Sequence, residues 1–163
     1  MIVPPVLFGV DVLDVTRVTR AMSYSGPAYA RHITSPAEPD LHSDPRMSTA
    51  ASVAVKECLV KAVGGRPQGF SWHDFEAVGD LPVRGREWVQ PLLASAVPQV
   101  EAATRVTLTE SCTYTVRGAS GEAALARFTP DHESDVVGIS RWGYGADLIV
   151  AIAILITTST GAL

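Results

Sequence analysis

The chain has 163 residues, of which 47% are hydrophobic and 18% are charged, and its formal net charge is −4. This length and this apolar content predict one globular domain with a sizeable core. The negative net charge argues against nucleic acid binding, because no overall basic field would attract a phosphate backbone.

The first predicted element is a short buried strand at 6–12, which places Asp11 near its end. Gly9 in this strand would allow another backbone to approach closely. Asp14 stands at the N-cap position of a helical run at 15–22. A single acid after a strand is usually a cap or a turn residue. Because Asp14 already fills that role, Asp11 is also a candidate metal ligand.

Residues 52–64 predict a helix with two stripes. One stripe presents an acid and an amine among small residues that would let a ligand approach: Ala50, Ala54, Glu57, Lys61 and Gly64. The other stripe is apolar and is expected to face the core: Val55, Cys58, Leu59 and Ala62. A Glu and a Lys four residues apart are often only a solvated salt bridge. Alternatively, Asp11 and Glu57 suit a magnesium ion that grips a phosphate, with Lys61 on a phosphate oxygen.

Later segments favour a mixed α+β fold, because strands and helices follow one another without regular βαβ alternation. The run 86–104 has helical spacing, and we expect Pro91 and Pro98 to divide it into two shorter helices. Its apolar surface would complete the core or contact a partner. The run 148–156 predicts a buried strand and is too short to span a membrane. No secretory signal is evident, and Cys58 and Cys112 lack metal-ligand spacing, so we expect a reduced, cytoplasmic protein.

Several segments together carry a resemblance to a known enzyme family: 9–12 with 17–18, 34–38, 54–64, 71–78, 114–118 with Ala123 and Ala126, 137–141, and 146–151. The most specific is Ala-Val-Lys-Glu-Cys-Leu-Val-Lys-Ala-Val-Gly at 54–64, together with Gly-Val-Asp at 9–11. In these motifs the chain resembles the phosphopantetheinyl transferases, specifically the short holo-acyl-carrier-protein synthase class. Leu13 stands where the larger class of these enzymes has a third acid, which supports the short class.

The resemblance implies an α+β fold in which a long central helix packs on a small, mostly antiparallel sheet. It implies one domain over 1–163, and relative to the family pattern we expect an insertion at about 79–110. Short members of the family typically form homotrimers with sites at subunit interfaces, so the resemblance also implies a homotrimer.

The implied reaction transfers 4'-phosphopantetheine from coenzyme A to a serine of an apo-acyl carrier protein and releases 3',5'-ADP. In the implied site, Asp11 and Glu57 hold Mg²⁺ on the pyrophosphate. Glu57 is also the base for the serine, directly or through a water. Lys61 binds phosphate and helps to protonate the leaving group.

Five further residues receive binding roles from the resemblance. Lys56 would bind phosphate groups, and Gly64 would let the backbone approach coenzyme A. Ser140 and Arg141 would bind the 3'-phosphate of the nucleotide. Arg17 would contact the acidic carrier protein, although it could equally be an ordinary solvated arginine.

Three departures from the family pattern leave other functions open. Arg141 replaces the usual His, Ser52-Val53 replaces Arg-Phe, and the insertion at 79–110 is additional. The main alternative is a non-catalytic module of the same fold that binds a carrier protein or coenzyme A. A structural trimerisation domain is a third interpretation. The presence of Asp11, Glu57 and Lys61 together favours the transferase.

Overall fold

The computed structural model describes residues 5–80, 83–128 and 134–159. Its helices and strands are, in chain order, β1 (Leu7–Asp14), α1 (Val15–Ser25), α2 (Pro27–Ile33), α3 (Pro45–Val63), a 3₁₀ turn (Trp72–Asp74), β2 (Phe75–Gly79), α4 (Arg86–Thr104), β3 (Glu110–Val116), α5 (Gly118–Arg127), β4 (Ser134–Tyr144) and β5 (Leu148–Ser159). The five strands form one antiparallel sheet in the order β1-β5-β4-β3-β2. The predicted α+β class, with a long central helix on an antiparallel sheet, is confirmed.

Strand β5 shows how the sheet separates two apolar layers. Ile149, Ala151, Ala153 and Leu155 belong to the layer that contains α3. The alternate residues Val150, Ile152, Ile154 and Ile156 belong to the layer that contains the buried face of α4. Because successive side chains of a strand point to opposite faces, a strand covered on both sides is apolar at nearly every position.

Helix α3 has clear start and stop signals. Its N-cap Asp44 accepts a hydrogen bond from Arg46 N at 2.9 Å, and Pro45 occupies the first turn, where no amide donor is needed. Gly64 ends the helix in the left-handed conformation, with φ 106°. Its N–H donates to the carbonyl oxygens of Val60 and Lys61 at 3.1 Å.

Both predicted stripes of α3 are buried over most of their length, so the prediction that one whole stripe faces a ligand was wrong. Ala50 and Ala54, which we expected to flank a ligand, are fully buried. The reason is that α3 packs against the sheet on one side and against α1, α2 and α5 on others. The stripe becomes accessible at Glu57 and Lys61, whose side chains are 30% and 52% exposed.

Helix α4 is one continuous helix, so the prediction of two shorter pieces was wrong. Val89, Leu93 and Val97 are buried at helical spacing against the sheet. Pro91 and Pro98 both lie on the exposed side. Carbonyl groups that lose a partner to proline can be hydrated there, and the packed face is free of proline. The interpretation of 79–110 as an insertion stays a prediction.

Strand β1 crosses α3 at Gly9, the residue of the strand that has no side chain. A Cβ atom on Gly9 would overlap the carbonyl oxygen of Cys58 and would lie 3.0 Å from Ala62 N. The backbone of β1 therefore lies directly on the backbone of α3. The strand then continues to Asp14, whose side chain caps α1 as predicted, accepting from Thr16 N at 2.9 Å.

We expect Gly9→Ala to destabilise the protein by about 1–3 kcal/mol, because the added methyl group must push β1 away from α3. Urea unfolding followed by circular dichroism measures this change. Val12→Ala is the matched control, since Val12 lies on the same strand and is half exposed. The control should change the free energy of unfolding by about 0.5 kcal/mol or less. Equal stability of the Gly9→Ala variant and the wild type would contradict the close approach.

Candidate active site

A cavity of about 510 Å³ opens between β1, α1, α2, α3 and the segment that follows α3. It brings together the predicted site residues Asp11, Glu57 and Arg17. Its other polar lining residues are Asp14, Tyr29, His32 and Arg66. The cavity therefore combines carboxylates with guanidinium groups, which suits a ligand that carries phosphates and a divalent cation.

The first charged pair of the site joins β1 to α3. Lys61 Nζ donates to Asp11 Oδ1 at 2.7 Å and to the carbonyl oxygen of Val10 at 3.1 Å. The hydrogen bond to Asp11 raises the pKa of Lys61 above its ordinary value. Lys61 is therefore a protonated cation at neutral pH and can serve either the carboxylate or a phosphate oxygen.

The second charged pair joins α3 to the loop that follows it. Arg66 Nη2 lies 3.2 Å from Glu57 Oε1. The guanidinium carbon of Arg66 lies 4.8 Å from the ring centre of Trp72 and 5.2 Å from that of Phe70, within cation–π range. Arg66 was not among the site residues predicted from the sequence. The sequence signal for Arg66 is a basic residue that directly follows Gly64 and Gly65 and precedes the aromatic residues Phe70 and Trp72.

Tyr29 and His32 are two further lining residues that the sequence analysis missed, and both come from α2. Burial raises the pKa of Tyr29, so its phenol is protonated at neutral pH and can act as a hydrogen-bond donor. Helix α2 was not predicted, because its seven residues are too few to show a helical period.

The acids of the cavity fit a magnesium ion that is shared with a substrate. Asp11 and Glu57 supply hard carboxylate oxygens from two different elements. Among the described residues there is no group of three or more His, Cys, Asp or Glu side chains that could hold a metal ion. Magnesium commonly uses one or two carboxylates together with substrate phosphates and waters, so the two-acid set matches that ion better than an all-protein cage would.

Lys56 does not reach the cavity, in contrast to its predicted role with phosphate. Its side chain is fully buried and donates to the carbonyl oxygens of Ile33 at 2.7 Å and Trp72 at 3.3 Å and to Glu38 Oε2 at 3.0 Å. Desolvation lowers the pKa of Lys56, and the neighbouring Glu38 carboxylate opposes that shift. Its three donors are thus used inside the protein, where they tie α2 and the 34–44 loop to α3.

Glu38 completes this buried pair. Its side chain is 2% exposed. It accepts hydrogen bonds from Ser35 N at 2.7 Å and from Ala77 N at 3.1 Å, in addition to the one from Lys56. The pair therefore connects the loop to β2, and its hydrogen bonds compensate for the burial of both charges.

Ser140 and Arg141 lie on β4 and do not line the cavity of this chain. Ser140 is fully buried and its hydroxyl donates to the carbonyl oxygen of Cys112 at 2.8 Å, so its side chain as placed does not suit the predicted nucleotide contact. Arg141 Nη2 donates to the carbonyl oxygen of Leu108 at 2.7 Å. Arg141 thus holds the segment that leads from α4 to β3, and its predicted phosphate contact stays a prediction.

Gly64 is explained by the backbone alone. Its left-handed conformation ends α3, and a Cβ atom there would lie 3.1 Å from Arg127 Nη1. That guanidinium donates to the carbonyl oxygen of Ala62 at 2.7 Å, which closes the end of the helix. The predicted approach of Gly64 to coenzyme A is compatible with this role and stays a prediction.

No family model matches the chain. Over 103 residues, which are 61% of this chain and 76% of the relative, the chain is 43% identical to a holo-acyl-carrier-protein synthase of Clavibacter michiganensis subsp. michiganensis. Over 99 residues, with the same shares, it is 42% identical to the enzyme of that name from Clavibacter sepedonicus.

Solved structures show the same fold. The Helicobacter pylori holo-acyl-carrier-protein synthase in complex with coenzyme A has a TM-score of 0.57 at 16% identity, over 93% of this chain and all of that one. The Plasmodium yoelii holo-ACP-synthase has a TM-score of 0.55 at 14% identity, over 98% of each chain.

The curated relatives place the chain in the class of the phosphopantetheinyl transferases, as the motifs predicted, and the solved structures share its fold. Within that class, the chain belongs to the holo-acyl-carrier-protein synthase family. The short class inferred from Leu13 is therefore confirmed. In the part of the chain that the structure describes, no helix has the length and apolar character to cross a bilayer.

We expect Lys56→Met to lower the free energy of unfolding by about 3–5 kcal/mol, because the Glu38 carboxylate would stay buried without its partner. The double variant Lys56→Met, Glu38→Gln should recover part of that loss, since no unpaired charge would remain. Urea unfolding measures both variants. An unchanged stability of Lys56→Met, together with weaker binding of coenzyme A, would instead support the predicted phosphate contact.

Proposed function

We propose that the chain transfers 4'-phosphopantetheine from coenzyme A to a serine of an apo-acyl carrier protein and releases 3',5'-ADP. The observation that carries the proposal is that Asp11 and Glu57 open into one cavity, with Lys61 beside Asp11 and Arg66 beside Glu57. Membership in the holo-acyl-carrier-protein synthase family supports it. The Helicobacter pylori relative, whose fold the chain shares, was crystallised with coenzyme A.

In this proposal Asp11 and Glu57 would hold Mg²⁺. The ion would neutralise charge on the pyrophosphate of coenzyme A as the phosphoanhydride bond is attacked. Arg66 at the cavity wall, and Lys61 beside Asp11, would supply further positive charge to the phosphate oxygens. Catalysis of this kind consists mainly of positioning and electrostatic stabilisation, for which preformed charged groups are suited.

Two proton movements accompany the transfer. Glu57, directly or through a water, would accept the proton of the carrier serine hydroxyl as the serine oxygen attacks phosphorus. The leaving 3',5'-ADP phosphate gains negative charge as the bond to it breaks. Lys61 would donate a proton to that oxygen, since it is a cation beside Asp11 at the site.

We also propose that the carrier protein docks beside Arg17, which lies on the exposed side of α1 and lines the cavity. Acidic carrier surfaces would be attracted by this cation. The homotrimer stays a prediction, as does the part of Ser140 and Arg141 in a site shared between subunits. We propose a cytoplasmic location, which the two free and buried cysteines, Cys58 and Cys112, support.

We expect Glu57→Ala to reduce the transfer rate by about 100-fold or more, the scale on which loss of one group that stabilises the transition state acts. Intact-protein mass spectrometry of an apo carrier protein, incubated with the variant, coenzyme A and Mg²⁺, measures the phosphopantetheine gain. Glu122→Ala is the matched control, because Glu122 is exposed on α5 and lies outside the cavity. A wild-type protein that binds coenzyme A and modifies none of several carriers would favour the non-catalytic module.

We expect Arg17→Glu to raise the KM for the carrier protein by about tenfold, because a repulsive charge would replace an attractive one at the docking surface. The KM for coenzyme A should change less. Steady-state kinetics with each substrate varied in turn measures both values. Arg46→Glu provides the control, since it makes the same charge change at an exposed position outside the cavity. Equal effects of the two substitutions would show that Arg17 has no specific contact with the carrier.

A further inference from the structure

Arg66 occupies an unusual position for a residue that pairs with a catalytic acid. It lies outside the motifs that carry the family resemblance, on the loop after Gly64 and Gly65. Its side chain is 53% exposed and touches Glu57 through a hydrogen bond of 3.2 Å to Oε1. Phe70 and Trp72 hold the guanidinium at the cavity wall independently of that hydrogen bond.

The pairing with Glu57 conflicts with the use of the same carboxylate by a divalent cation. A guanidinium and a metal ion on one carboxylate would repel each other, so a cation that reached Glu57 would weaken the contact to Arg66. The Arg66–Glu57 pair is partly exposed, and ion pairs in contact with water contribute little stability and are readily broken. The two aromatic rings would keep the released guanidinium in the cavity, where an anion could take the place of Glu57.

The pair on Asp11 differs from the pair on Glu57 in one respect. Lys61 donates to the Val10 carbonyl oxygen as well as to Asp11, so it keeps a protein partner when the carboxylate is taken. For Arg66, Glu57 is the only hydrogen-bond partner among the described residues. A phosphate would therefore replace a lost hydrogen-bond partner for Arg66, whereas Lys61 keeps one from the protein.

We propose that Arg66 is a phosphate-binding residue of this chain that pairs with Glu57 when no ligand is bound and moves to a phosphate of coenzyme A when a divalent cation binds Glu57. This inference rests on the proposed function. Through Arg66, the binding of the divalent cation and the binding of coenzyme A would be coupled. Each ligand favours the binding of the other, because the cation releases Arg66 and the phosphate retains it.

The test compares Arg66→Leu and Arg66→Lys with the wild type in two binding measurements by calorimetry. One measures Mn²⁺ alone, and the other measures coenzyme A at saturating Mg²⁺. Arg66→Leu should bind Mn²⁺ alone about two- to fivefold more tightly, because a weak competing cation is gone. It should bind coenzyme A about tenfold more weakly or worse, because a charge-assisted phosphate contact is lost. Arg66→Lys should lose less of the affinity for coenzyme A, since it keeps the charge but not the planar fork.

Arg20→Leu is the matched control, because it removes the same charge from an exposed position on α1 that does not line the cavity. Opposite changes in the two affinities for Arg66→Leu, with Arg20→Leu near the wild type, would establish the exchange. If Arg66→Leu had an unchanged affinity for coenzyme A, or lost affinity for both ligands, the exchange would be overturned. The proposed function would still stand if the wild type transferred phosphopantetheine. A wild type that bound no coenzyme A would overturn both this inference and the proposed function.

Discussion

The site depends on the contact between the backbone of β1 and the backbone of α3 at Gly9. Because a side chain at this position would overlap the Cys58 carbonyl oxygen, the strand lies as close to the helix as a backbone can. Asp11 follows two residues later on the same face of β1, and this closeness allows Lys61 to reach it at 2.7 Å. The relative position of the two predicted metal ligands, Asp11 and Glu57, is therefore set by main-chain packing and needs no mobile loop.

Most of the fold could be predicted from local sequence signals. The cap at Asp14, the stop at Gly64 and the apolar run of β5 all mark real boundaries or buried segments. The prediction failed where tertiary packing overrides local preference. Pro91 and Pro98 do not divide α4, because both lie on its solvent side while Val89, Leu93 and Val97 hold the other side against the sheet. Sequence alone does not show which side of a helix the sheet will cover.

The site was predictable in part, and neighbouring residues show why. Glu57 follows Lys56 directly, yet a helix turns by about 100° per residue, so the two side chains leave it in different directions. One direction opens on the cavity, and the other ends in a buried pair with Glu38. The motif contains both residues and does not distinguish these environments. Arg66 was missed for a related reason, since its partnership with Glu57 exists only after the chain has turned back at the end of α3.

The position of β1 at the edge of the sheet has a consequence for the order of events during synthesis. Strand β1, which carries Asp11, precedes the other described strands in the chain, but it pairs with β5, the last strand that the structure describes. Contacts between residues far apart in sequence form late, because a long loop must close first. During translation, β1 therefore gains its hydrogen-bonded neighbour only after β5 has been synthesised. A partly synthesised chain would already contain α3 with Glu57 and Lys61, but β1, which carries Asp11, would not yet be paired with its neighbouring strand.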